Sequence, residues 1–111
     1  MTRKLIIDTD PGVDDAMAIF YALNSPELDV LAITTIFGNA ATPICTRNAL
    51  RLLEIAERLD IPVAAGAERP LASPPRHNDG RVHGTDGQGD TNLPLPSMQA
   101  IDQHAAQFLI D

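Results

Sequence analysis

Tryptophan is absent from this sequence, a single cysteine and a single tyrosine occur in 111 residues, and eight Lys and Arg face fifteen Asp and Glu. Each shortage excludes something. With Cys45 alone there is no intramolecular disulfide and no zinc cluster, which suits a reducing cytosol, and such a cysteine is expected to be a small buried hydrophobe. A net charge of -7 argues against a nucleic-acid surface, because phosphate binding needs clustered Lys and Arg; a cationic partner such as a metal ion fits better. Long apolar runs are missing as well. Leu5-Ile6-Ile7 meets Asp8 at once, too short for the core of a signal peptide, and no stretch approaches the ~20 apolar residues of a membrane helix. The expectation is a cytoplasmic protein with no membrane and no nucleic-acid partner. What is present, 44 % hydrophobic residues, suffices for one domain with a buried core.

Strand and helix patterns alternate along the first 66 residues. Leu5 to Ile7 is a short aliphatic run that stops at the Pro11-Gly12 turn, the pattern of a buried strand. Asp14 to Leu23 reads as a helix closed by Ser25-Pro26, and its Tyr21, like the other aromatics, is expected in the core. Val30 to Ile36 is β-branched and apolar, as in a parallel strand buried on both faces. Thr42 offers an N-cap oxygen and Pro43 a preset first turn to a second helix, whose Cys45, Ala49, Leu52, Leu53 and Ala56 keep helical spacing. Ile61 to Ala65 makes a third strand beginning beside Pro62. Residues 1–66 therefore predict a βαβαβ core, an α/β fold with a Rossmann-like parallel sheet and helices on both faces. Residues 67–96 hold five prolines and four glycines, an irregular stretch too long for a plain connector. Ser97 can then cap a helix over 97–111, where Met98, Ile101, Ala105, Phe108 and Leu109 are helically spaced.

Ligands in such sheets bind beyond the carboxyl ends of the strands. There, Asp8-Thr9-Asp10-Pro11-Gly12-Val13-Asp14-Asp15 places four carboxylates in eight residues with no Lys or Arg among them. Helix capping and the helix dipole account for one or two acids, not four. A divalent cation is the economical counter-charge, and hard carboxylate oxygens point to calcium or magnesium. The pattern is not an EF-hand, since counting from Asp8 the sixth and twelfth positions hold Val13 and Ile19 rather than Gly and Glu. Nor is it a dinucleotide fingerprint, because Gly12 is one glycine where three are needed.

The run from Asp8 to Ala16 closely resembles the N-terminal signature of the inosine-uridine-preferring nucleoside hydrolases. The resemblance extends through Thr34-Thr35-Ile36-Phe37-Gly38-Asn39, Asn48-Ala49-Leu50 and His83-Gly84-Thr85-Asp86-Gly87-Gln88-Gly89-Asp90. It implies the N-terminal portion of a nucleoside hydrolase fold, a ribonucleoside substrate, and hydrolysis of the N-ribosidic bond by a calcium-bound water. By the same resemblance Asp10 and Asp15 coordinate Ca²⁺, Asp10 is also the general base, and Asp14 accepts hydrogen bonds from a ribose hydroxyl. Asp8 then orients the others from behind, Asn39 borders the ribose or the water, and His83 reaches the nucleobase side as a donor. A homo-oligomer is the expected assembly. Members of that family are much longer, and their remaining part contributes further calcium ligands, ribose contacts and a histidine near the leaving base. His77 and His104 carry no motif and are expected in solvent.

Two other readings compete. An aliphatic strand followed by Asp8-x-Asp10 also resembles the haloacid-dehalogenase-like phosphatases with their Mg²⁺, although Gly12 stands where that family has Thr or Val, and Asp14-Asp15 has no use in that chemistry. The other reading is a non-catalytic fragment or interaction module, supported by length alone.

Overall fold

The computed structural model describes residues 2–74, 82–89, 91 and 93–111. The order is β1 (Arg3–Thr9), α1 (Val13–Leu23), β2 (Leu28–Thr35), α2 (Thr42–Ile55), β3 (Val63–Ala65) and α3 (Ala105–Ile110). The strands form one parallel sheet in the order β1-β2-β3. The expectation of helices on both faces is corrected for α1 and α2, because two successive right-handed crossovers stepping the same way leave both on one face. The core agrees: Ile19 and Ala22 of α1 and Ala49, Leu52 and Leu53 of α2 pack over Val30, Ile33 and Val63, with Leu5 and Ile7 against them. On the opposite face Ala32, Thr34 and Ala64 are buried, while Ile6 stays 40 % exposed. The register slips by one residue between Leu5 and Ile6, so Leu31 of β2 is left without a partner and is exposed. No helix among the described residues is long and apolar enough to cross a membrane.

Some local expectations need correction. The N-cap of α2 is Ala41, not Thr42; Thr42 lies one position inside and spends its hydroxyl on the Ala67 carbonyl, tying the helix to the chain after β3. The helix expected from Ser97 begins only at Ala105. Before it, Ser97 is held by Glu54 and the Ile101 N–H donates to the Val63 carbonyl at 2.9 Å, which takes that N–H from the bond a helix begun at Ser97 would need. His104 instead caps α3, its Nδ1 accepting from Ala106 N–H at 3.1 Å. Tyr21 is 75 % exposed, on the side of α1 facing away from the sheet, with Met17 one turn before it. β3 is shorter than expected because Pro62 cannot donate; its carbonyl still accepts from Ile33 N–H. Cys45 is fully buried, and His77 lies outside the described residues.

Candidate active site

β1 and β2 end side by side, Thr9 opposite Thr35, so the chain leaves both strands at one edge of the sheet. Ile36 N–H still donates to the Thr9 carbonyl at 3.1 Å. Beyond it Pro11 has no N–H to continue the ladder, and the two chains are joined by Asn39 instead. Asn39 N–H donates to Oδ2 of Asp10 at 2.8 Å, and its side-chain Nδ2 donates to the Asp10 carbonyl at 2.9 Å. Gly38 makes this approach possible, since a Cβ there would overlap Asp10 Oδ2.

Asp14 and Asp15 fall in the first turn of α1, at the positive end of its dipole. Asp15 Oδ2 accepts from Gly12 N–H at 3.3 Å, and the Asp14 side chain is 77 % exposed. Asp10 and Asp15 are each held through Oδ2, and among the described residues their Oδ1 atoms accept no hydrogen bond. Both charges reach Cys45: burial first, and then these two carboxylates, push its thiol from the ordinary 9.0 up to about 11, against an opposing backbone hydrogen bond at Ala40. Asp8 stands apart. It accepts from Thr34 Oγ1 at 2.7 Å across the strand pair, and among the described residues no hydrogen bond joins it to Asp10, Asp14 or Asp15.

His83 arrives from the long loop. Its Nδ1 accepts the N–H of Val13 at 3.0 Å, and its Nε2 lies 3.8 Å from Asp14 Oδ1. Val13 opens α1, where N–H groups have no partner inside the helix and where Gly12 has no side chain to cap them. A histidine seventy residues away supplies the cap. Gly12 gives it room: a Cβ there would stand 2.7 Å from His83 Nδ1 and 2.8 Å from Asn39 Nδ2. Five of the six candidates thus meet around one turn: Asp10, Asp14, Asp15, Asn39 and His83. Among the described residues, no three His, Cys, Asp or Glu side chains converge closely enough to enclose a metal ion. A cavity of about 780 Å³ between the start of α2 and the end of β3, lined by Arg47, Arg69 and His104 among others, contains none of the six.

Sequence reasoning missed Gly38 and Gly12 as clearances, Thr34 as the partner of Asp8, and Asn48. Asn48 is 0 % exposed and donates from Nδ2 to the carbonyls of Asp86, at 2.9 Å, and Pro11, at 3.3 Å. Its place in the Asn48-Ala49-Leu50 run that carries part of the resemblance was the available sign.

The model of the inosine-uridine preferring nucleoside hydrolases matches residues 5–111. The chain belongs to that family. It is 53 % identical over 110 residues to a probable uridine nucleosidase 2 of Arabidopsis thaliana, covering 98 % of this chain and 34 % of that protein. It is also 43 % identical over 112 residues to an inosine-uridine preferring nucleoside hydrolase of Leishmania major, covering 100 % of this chain and 35 % of that one. Among solved structures, a plant nucleoside hydrolase superposes with a TM-score of 0.95 at 53 % identity, over 99 % of this chain and 35 % of that one. The chain therefore spans about a third of the length of these nucleoside hydrolase relatives. Family membership disfavours the phosphatase reading, whose signature already failed at Gly12.

Proposed function

We propose that this chain carries the metal and ribose end of a nucleoside hydrolase site, cleaving the N-ribosidic bond of ribonucleosides to ribose and free base. One observation supports it above the others: Asn39 holds both the carboxylate and the carbonyl of Asp10, with Oδ1 of Asp10 accepting no hydrogen bond among the described residues. Asp10 and Asp15 would hold the metal, with calcium the ion their hard oxygens suit. The residues fit that ion in part, as two carboxylates with open Oδ1 atoms, and further ligands would come from sequence outside this chain. Bound there, calcium supplies a positive centre that acidifies water and gathers vicinal hydroxyls.

The chain's own residues have distinct parts in this reading. Cleavage develops positive charge on the sugar, and the carboxylates of the turn stabilise it electrostatically. Asp10, fixed through Oδ2, presents Oδ1 as the general base that takes the proton of the attacking water. Exposed Asp14 accepts from a ribose hydroxyl. His83, with Nδ1 occupied as an acceptor, carries its ring proton on Nε2, and a donor there is suited to the leaving base. Asp8, bonded to Thr34, stiffens the end of β1. A cytoplasmic homo-oligomer belongs to the same proposal.

The test is release of ribose from inosine and uridine, with calcium in excess, by this chain extended to the length of its relatives. Turnover in the ordinary range of ~1–10³ s⁻¹ is expected. Asp10→Asn should lower kcat by ~10²–10⁴-fold or more, the scale of a lost general base. Near-wild-type turnover by Asp10→Asn removes Asp10 from the mechanism. The 111 residues alone are expected to fall far short of the extended protein, because catalysis needs the remaining ligands held in the same geometry.

A further inference from the structure

α2 is buried on more than one side. Toward the sheet lie Ala49, Leu52 and Leu53; along another side Asn48, Arg51 and Glu54 recur every third residue and form one polar stripe. Each member of the stripe grips the segment after residue 81. Asn48 donates to the Asp86 carbonyl, while Arg51 donates from Nη1 to Gln88 Oε1 and from Nε to the Pro94 carbonyl, both at 3.0 Å. Glu54 accepts from the N–H and hydroxyl of Ser97 at 2.8 and 3.2 Å. Burial pulls the Arg51 guanidinium below its ordinary value, with Arg47 adding and Asp86 opposing.

Asn48 differs from the other two in where its second bond goes, to the carbonyl of Pro11 in the acidic turn. Its Oδ1 is buried with no partner among the described residues, a desolvation penalty that an apolar side chain would not carry. Core filling therefore does not explain an asparagine here. The loop is shaped to the same amide: Gly87 has φ +78°, and a Cβ on it would stand 2.8 Å from Asn48 Nδ2. We infer that Asn48 is a positioning residue, its amide pinning the Pro11 carbonyl of the acidic turn to the Asp86 carbonyl of the 82–89 loop, so that His83 is seated on Val13. The acidic turn and the histidine loop then move as one body. What that body is for rests on the proposed nucleoside hydrolysis; the clasp itself does not.

The experiment uses the isotopically labelled 111-residue chain and two variants that remove the amide, Asn48→Ala, which leaves a gap, and Asn48→Leu, which keeps the volume. Among the described residues no hydrogen bond joins Asn48 to Val13 or to the His83 ring, so these report from outside the contact that is changed. In both variants Val13 amide exchange should rise by at least ~10-fold and the His83 ring ¹⁵N shifts should lose the signature of an accepting Nδ1. The Ile33 amide, bonded to the Pro62 carbonyl, should keep its protection. Unchanged Val13 and His83 in both variants would overturn the inference. Should Asn48→Ala unfold, Asn48→Leu decides: equal loss at Val13 and Ile33 would make the contact one of general stability and also overturn it. A calcium titration of the wild type separates the two readings, because a chain that binds no calcium yet shows the expected exchange pattern sinks the metal site and leaves the clasp.

Discussion

His83 Nδ1 accepts the backbone N–H of Val13 at 3.0 Å, so the helix that carries Asp14 and Asp15 is capped by a residue of the long loop. The bond couples helix stability to loop docking. His83→Ala leaves that N–H without its acceptor, and unfolding free energy should fall by about 0.5–2 kcal/mol, the range for a lost cap. Urea denaturation measures it; an unchanged midpoint and slope would show that solvent serves α1 equally well.

Gly38→Ala adds one methyl group at a backbone position that does not demand glycine, but its Cβ would overlap Asp10 Oδ2. The fold should tolerate it while Asp10 swings away. Calcium affinity should drop at least ~10-fold, about 1.4 kcal/mol, with circular dichroism unchanged. Equal affinity in the variant and the wild type would detach Asp10 from the metal.

Much of this site was legible in the residues. Four acids without a base, placed after an aliphatic strand, located the turn, and the β-branched runs located the sheet that presents it. Asn48 was hidden because its meaning depends on Pro11 and Asp86, 37 and 38 positions away, and helical periodicity carries no such information. Tyr21 misled for a different reason. α1 is apolar on nearly every side, so its sequence has no polar stripe to say which side meets solvent. Ser97 failed as a cap because Glu54 and Val63 offered the 97–101 segment long-range bonds that outweighed local propensity.

Cys45 is fully buried and its thiol is held up to about 11 by burial and the charges of Asp10 and Asp15. Unfolded, it titrates near 9.0. The raised folded value means that this group's contribution to stability is fully present below about pH 9 and declines as pH rises toward 11. Alkylation at pH 8 should therefore be negligible in the native chain and rapid in urea, read by mass spectrometry. Equal rates in the two states would place the thiol in solvent.

Val13, Met17 and Tyr21 form an exposed apolar stripe along α1, and Ile6 and Leu31 are exposed at the β1–β2 side of the sheet. β1 is also an edge strand. Such surfaces favour association. Light scattering should give a mass above 11.9 kDa that rises with concentration, and Met17→Glu with Tyr21→Lys should lower it if the stripe on α1 is the contact. A monomer at every concentration would show that these faces are stable in water.

Calorimetric titration of the 111-residue chain with calcium tests the central claim most directly, beside Asp10→Asn and Asp15→Asn. The wild type should bind one ion weakly, since only part of the coordination shell is present, and each variant should weaken that binding further. No binding by the wild type, or an isotherm unchanged in both variants, would contradict the assignment of the acidic turn as a calcium site.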